Sequence, residues 1–412
     1  MPQVFAYKAR SLSGSLINGK VESDSQGGAV ALLREKNYFV VEIKPVRSVE
    51  LDLDKLLGLK IKIKEMSIFC RQFATMHEAG IPLLQCLRTL VQQTESKRMS
   101  RILKEVAVGV EKGKSLSEAF KEYKQYLPEI FISMILAGEV SGTLDQALGR
   151  LATHFEKEHQ LREKVKSAMT YPLVVAGMAF ACMVALLVIV VPIFVDIFNS
   201  MGAELPLPTR IVIFLSNVLK GYWYLVLLAS IALFFIVKQF GATAGGRKVL
   251  DQLALKAPIF GKLTHKTIVA RVARTLATLL KSGIPLMQSL ETVEYVAGNT
   301  VFAGEVRKAR VTISEGERMA PVLMKGKMFP PLAINLIAVG EESGALDNLL
   351  EKLAVFYEHE VETMVGRLSS VIEPLLIAGV GVMVAFIALS IYMPLFGLAG
   401  ALQGGSGIPG GM

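Results

Sequence analysis

Apolar and polar positions follow two regimes along this chain. In three stretches, residues 172–195, 221–237 and 374–396, apolar side chains run almost unbroken, and part of the preceding turn extends the second back to 215, giving a span over 215–237. No charged residue lies between Lys166 and Asp196, and crossing a bilayer takes about 20 apolar residues. Each stretch therefore predicts a transmembrane helix, the second opening on the interfacial aromatics Tyr222, Trp223 and Tyr224. Elsewhere apolar residues recur at helical spacing, as in Ile130, Met134 and Ile135, then Leu144, Leu148 and Leu151. Over residues 64–166 the punctuation predicts six helices. Gly80 suits the left-handed position that ends the first, and Pro82 opens the second. The third runs from about Ser96 to Gly113, and Ser115-Leu116-Ser117-Glu118 is a capping box for the fourth. Pro128 opens the fifth, which should end at Gly138. The sixth starts near Thr143 and passes His154 and Lys166 into the first apolar run.

Residues 1–46 read as a separate ββαβ module. Val4–Ala9, Leu16–Glu22 and Tyr38–Ile43 are strand-like, with a turn at Ser13-Gly14. Ser25–Lys36 is helical, capped by Ser23 or Asp24 and closed by Asn37. Residues 47–63 form a charged linker with a short helix at Leu51–Leu57. Residues 196–214 form an external loop, and residues 397–412 a Gly-rich, disordered tail.

The soluble pattern occurs twice. Gly138-Glu139-Val140-Ser141-Gly142-Thr143-Leu144-Asp145 returns as Gly340-Glu341-Glu342-Ser343-Gly344-Ala345-Leu346-Asp347. Arg71 to Thr75 is echoed by Arg274 to Thr278, and Gly80-Ile81-Pro82-Leu83 by Gly283-Ile284-Pro285-Leu286. The register is 203 residues up to Gly113/Gly316 and 202 from Pro128/Pro330 onward. Residues 238–372 thus predict a second six-helix set, clear from about Lys266. The expected fold class is mainly α: a polytopic membrane protein with two homologous six-helix cytoplasmic bundles, three transmembrane helices and a small α+β N-terminal module.

Charge supplies orientation. The net charge of +9 is modest and mixed in sign, which argues against a nucleic-acid partner. Arg162, Lys164 and Lys166 precede the first span; Lys238, Arg247 and Lys248 follow the second. The positive-inside rule puts the N-terminus in the cytoplasm and the C-terminus outside, in the periplasm. The second span, which has no repeat partner, returns the chain so that both bundles share one side. No signal peptide opens the chain. Cys70, Cys86 and Cys182 have no metal-ligand spacing and read as small buried hydrophobes.

The sequence holds no Walker loop, HExxH, CxxC or GxSxG, which points away from an enzyme. His154 and Glu158, four apart on a helix, read as a solvated face rather than metal ligands. No cofactor is expected. A transporter or channel, the alternative, would need polar groups in the spans, for which Ser216, Ser230, Cys182 and Ser390 are the candidates. The Gly-Glu-x-Ser-Gly-x-Leu-Asp turns admit two roles. As turn chemistry, Gly138 ends one helix, and Glu139 and Asp145 favour the dipole of the next. As a functional site, Glu139, Asp145, Glu341 and Asp347 form a docking or divalent-cation surface. Arg71, Gly80, Pro82, Arg274, Gly283 and Pro285 read as helix-turn positions.

On these motifs, with Leu127-Pro128, the chain from about residue 64 resembles the GspF/PilC family of inner-membrane platform proteins of type IV pili and type II secretion systems. The N-terminal module also fits. The second copy departs at Leu276, for Phe73, and at Pro321, for Glu118. The resemblance implies a non-enzymatic protein of the inner membrane that works with a hexameric assembly ATPase, with pilin or pseudopilin subunits and with other inner-membrane assembly proteins. It implies a homodimer or higher homo-oligomer. It further implies coupling of the ATPase to insertion or extraction of those subunits.

Overall fold

A computed structural model describes residues 3–10, 16–23, 25–35, 38–45, 60–200, 207–258 and 260–404. The turn at Ser13-Gly14, Asp24, Asn37, the helix expected at Leu51–Leu57 and residues 405–412 lie outside it. Chain contacts divide it into two units, Met1–Lys60 and Ile61–Met412.

In the first unit, β1 (Gln3–Arg10), β2 (Leu16–Ser23) and β3 (Phe39–Pro45) form an antiparallel sheet of order β2-β1-β3. A register shift at Lys8/Ala9 interrupts the β1–β3 pairing. Helix α1 (Gln26–Glu35) packs on the sheet, burying Ala29 and Leu33 with Phe5 and Ala9. Ser25, expected inside the helix, caps it instead: the Gly28 N–H donates to its Oγ at 3.1 Å.

The second unit begins with α2 (Ile63–Glu78), α3 (Leu83–Gln93), α4 (Lys97–Glu111), α5 (Leu116–Lys121), α6 (Glu129–Ser141) and α7 (Leu144–Ala185). The repeat copy supplies α12 (Phe260–Lys281), α13 (Leu286–Val296), α14 (Thr300–Ser314), α15 (Met319–Gly326), α16 (Pro331–Ser343) and α17 (Leu346–Gly404). Between them lie a π-helical turn (Leu186–Val190), α8 (Val191–Ser200), α9 (Leu207–Gly221), α10 (Trp223–Ala242) and α11 (Ala244–Lys256). The buried residues of both copies join one continuous hydrophobic cluster, from Phe73, Phe120, Phe131 and Phe155 to Leu276, Val293, Phe302 and Leu353. In the first copy the aromatic rings interlock, with Phe120 and Phe131 edge-to-face at 4.9 Å. In the second, Leu276 stands where Phe73 stood, and it lines a small apolar cavity of about 20 Å³.

Among the described residues, three helices are long and apolar enough to cross a membrane: Leu144–Asp196, Trp223–Ala242 and Leu346–Ser390. α7 and α17 run from the soluble pattern into the apolar runs without a break, through Pro172 and Pro374. The second apolar run is not one helix as expected, since Gly221 ends α9 and Tyr222 precedes α10. The expected loop at 196–214 is partly helical, holding the ends of α8 and α9 on either side of residues 201–206, which lie outside the described residues. Residues 397–404, expected to be disordered, continue α17. The π turn has a local cause. Pro192 has no N–H to donate to Val188, and the Val191 N–H reaches back to Leu186. The polar groups there serve packing: Ser216 Oγ donates to the Leu187 carbonyl and Thr209 Oγ1 to that of Ser390, both at 2.6 Å. Ser390 Oγ donates to the Phe386 carbonyl at 2.7 Å. Cys182, expected to be buried, is exposed on the apolar surface, whereas Cys70 and Cys86 are buried.

Candidate functional site

Both acidic turns are built alike from their residues upward. α6 continues past Gly138 to Ser141, and Gly142 ends it in the left-handed region at φ 70°. Gly344 does the same after α16 at φ 69°. Gly138 therefore has a different task from the helix end expected of it. A Cβ there would lie 2.7 Å from Ala147 Cβ and 3.1 Å from Leu144 Cα, so its absence lets α6 and α7 approach. Gly340 faces Leu346 Cα in the same way, at 2.9 Å. Ser141 Oγ donates to the Ala137 carbonyl and Ser343 Oγ to that of Val339, each at 2.7 Å. Leu144 and Leu346 pack against the core.

Glu139 does not act at the start of α7, where it was expected. Its carboxylate turns to the N-terminus of α5 and accepts from the Leu116 and Ser117 N–H groups at 2.6 and 3.0 Å. Ser115 Oγ takes the Glu118 N–H at 3.2 Å, and Glu118 returns a bond to the Ser115 N–H at 3.3 Å. Three orphan donors of a six-residue helix are thereby satisfied. Burial opposes ionisation of Glu139. Hydrogen bonds from Ser117, Leu116 and Ser115 outweigh it and hold the carboxyl below the usual carboxylate range.

Glu341 repeats this on α15, accepting from Met319 at 2.6 Å and Ala320 at 3.1 Å. The departure at Pro321 now has a reason. It occupies the third helical position, where proline brings no N–H, so no serine cap is needed. The N-cap Arg318 pairs instead with Glu342 at 2.6 Å. Asp145 and Asp347 lie in the first turns of α7 and α17, Asp145 exposed and Asp347 half-buried.

The upstream landmarks are also mutual. Gly80 and Gly283 sit at φ 78° and 77°, and Pro82 and Pro285 are the N-caps of α3 and α13. Arg71 grips Glu156 on α7 through two bonds of 2.6 Å. Arg274 grips Glu358 on α17 through two of 2.8 Å. These bidentate pairs tie the first helix of each copy to its last, and the Arg71 bond holds the Glu156 carboxyl below its ordinary range. Glu156 and Glu358 belong to none of the motifs singled out in the sequence. The signal was present, because the two acids recur in the repeat register.

The copies meet along α7. Ser133 on α6 faces Thr292 on α13 at 3.5 Å, and His154 Nδ1 faces Thr278 Oγ1 at 3.4 Å. Arg150 donates to the Lys281 carbonyl, and Arg271 approaches Glu158 at 4.0 Å. Lys164 bonds Glu362, and Tyr171 donates to Glu373 at 3.4 Å. His154, expected on a solvated face, is buried between the copies, and desolvation pushes its pKa down to about 4, so the ring is neutral. His154 Nε2 lies 3.9 Å from Glu158, and no group of three metal-ligating side chains occurs among the described residues.

Comparison with known proteins covers both internal copies and the N-terminal module. The family model "Type II secretion system (T2SS), protein F" matches residues 69–192 and again 272–394. The model of that protein's N-terminal domain matches residues 1–44. "Type IV pilus assembly protein PilC" of Thermus thermophilus is 41% identical over 407 residues, covering 97% of this chain and 99% of that protein. "Type IV pilus assembly protein PilC" of Myxococcus xanthus is 34% identical, covering 97% and 96%. "Type II secretion system protein F" of Pseudomonas aeruginosa is 32% identical, covering 96% and 98%. With both internal copies, both acidic turns and the N-terminal module matched, the chain belongs to the type II secretion system protein F family, which includes the PilC proteins.

Proposed function

We propose that this protein is an inner-membrane platform of a type IV pilus or type II secretion machine. It couples a cytoplasmic hexameric assembly ATPase to the insertion or extraction of pilin or pseudopilin subunits. The observation that carries this is the pair of unbroken helices α7 and α17, which run from the soluble helices into apolar spans. Each helix is continuous down to Pro172 or Pro374, where a missing N–H opens the ladder at the start of the span, so a rotation or push at its soluble end reaches the bilayer surface. In this account the two six-helix sets are cytoplasmic bundles, the N-terminus is cytoplasmic and the C-terminus external, as the basic flanks indicate.

The motor contact belongs at the acidic turns, at the ends of α7 and α17 remote from the spans. Glu139 and Glu341 are engaged as caps, so exposed Asp145, with Asp347, carries the contact and the two glutamates hold its shape. The test is Asp145→Lys with Asp347→Lys, assayed beside the partner ATPase in reconstituted membranes. ATPase stimulation and filament assembly or secretion should fall at least tenfold at unchanged protein level. Normal stimulation would remove the docking surface from these turns.

A further inference from the structure

In their soluble helices the two copies inside this chain do not meet face to like face, although Tyr171 and Glu373, at the mouth of the spans, pair at equivalent repeat positions. The first copy contributes its fifth and sixth helices, through Ser133, Arg150, His154 and Glu158. The second contributes its first and second, through Arg271, Thr278, Lys281 and Thr292. The sixth helices confirm the asymmetry. Around Leu263, α17 buries Val361, Val365 and Leu368, while α7 adds Leu161, Val165 and Ala168. In the repeat register these two sets are displaced by two residues, about 200° around a helix, and so lie on opposite faces. This is a head-to-tail contact. Such a contact leaves one half of itself open at each end.

The open halves are visible. On the second copy, Asn335, Lys352 and Phe356 stand where Ser133, Arg150 and His154 stand in the first. His154 is 3% exposed, whereas Phe356 is 45% exposed beside Val355 at 54%. On the first copy, Ile68, Thr75 and Thr89 stand where Arg271, Thr278 and Thr292 stand in the second, so both threonines of the contact are kept. Thr292 is buried, whereas Ile68 is 49% exposed, Thr75 exposed and Thr89 half-buried.

We propose that copies of this chain associate head to tail by repeating the internal contact, the α16–α17 face of one copy seating on the α2–α3 face of the next. The residues remain complementary in that arrangement. Asn335 meets Thr89, an amide–hydroxyl pair in place of the Ser133 and Thr292 hydroxyls. Phe356 meets Ile68 and the methyl group of Thr75, apolar contact in place of a buried histidine. Lys352 meets the C-terminal end of α2 at Glu78, where Arg150 meets the end of α12 at Lys281, and a cation is favoured at a helix C-terminus. α7 and α17 run the same way side by side, Lys164 bonding Glu362 and Tyr171 bonding Glu373. The operation therefore keeps every copy upright in one membrane plane. Head-to-tail addition closes into a ring where the rotation allows.

The test is cysteine cross-linking of the full chain in membranes, in a Cys182→Ala background. One tagged version carries Asn335→Cys and a differently tagged version carries Thr89→Cys. Both substitutions are on exposed or half-buried positions, so the fold is retained. The expected result is a cross-linked pair of two chains only when both versions are present, and a ladder of higher species when one chain carries both cysteines. Phe356→Asp should abolish the mixed product, while a Ser133→Cys/Thr292→Cys pair still closes within one chain. Cross-links joining Asn335→Cys to itself, or Thr89→Cys to itself, would show a like-to-like dimer and overturn the proposal. So would absence of the mixed product in membranes.

Discussion

Glu139 illustrates how a residue conspicuous in sequence acquires its meaning from a helix it does not belong to. Both its oxygens are engaged at the N-terminus of α5, and Glu341 does the same for α15. Glu139→Ala should lower stability by about 1–3 kcal/mol, because two helix N–H groups lose a charged acceptor. Glu139→Gln keeps one acceptor oxygen and should lose less. Thermal unfolding of the purified protein measures both; equal midpoints for the wild type and the alanine variant would contradict the capping role. Gly80, Gly283, Pro82 and Pro285 were legible in sequence, because left-handed backbone and missing N–H groups have few other uses, whereas Gly138, read as a helix end, is a close-approach position. The partner of Glu139 was not. It lies more than twenty residues upstream, and only packing of α5 beside the end of α6 brings it there.

At the scale of elements, α7 is held between the copies, and its buried His154 makes that contact sensitive to acid. The histidine's pKa is about 4 in the folded protein against 6.5 when free. The unfolded chain therefore binds the extra proton first as pH falls. Stability is full above about pH 6.5 and declines toward pH 4, by about 3 kcal/mol at most. Lowered carboxyls at Glu139 and Glu156 add a further loss below about pH 4.5. His154→Phe, which copies Phe356 of the second repeat, should flatten the fall in unfolding midpoint between pH 6.5 and 4 while leaving the later loss. An unchanged slope in that window would contradict burial of a neutral histidine. Helix boundaries in both copies were readable within a few residues from caps and spacing. Not legible in sequence were the break at Gly221-Tyr222, the helical ends of the 196–214 segment, the additional helix α11 and the extension of α17 through residue 404. An apolar run carries no mark of which helix it belongs to, and a glycine-rich end can be held by its neighbours along the helix.

For the whole molecule, the repeat was the most legible feature, yet its consequence was not. Two homologous bundles were the expectation, and the buried residues of both copies join one continuous cluster. Residues such as Ser133 and Thr292 are small polar groups suited to a close contact, and nothing in their spacing says that the contact is with the other copy. In the proposed function, α7 and α17 are the rigid connections between soluble helices and spans. The most direct test inserts Gly-Gly-Ser-Gly after Lys166 and after Arg367, so that both helices are broken just before their apolar runs. Membrane insertion, protein level and the thermal midpoint of the soluble helices should be retained. The main cores above and below the break are separate, and only the small cluster around Leu263 crosses it. Pilus assembly or secretion should be lost at least tenfold, with ATPase binding preserved. Assembly at the wild-type rate with both helices broken would contradict the claim that they transmit the motor's work.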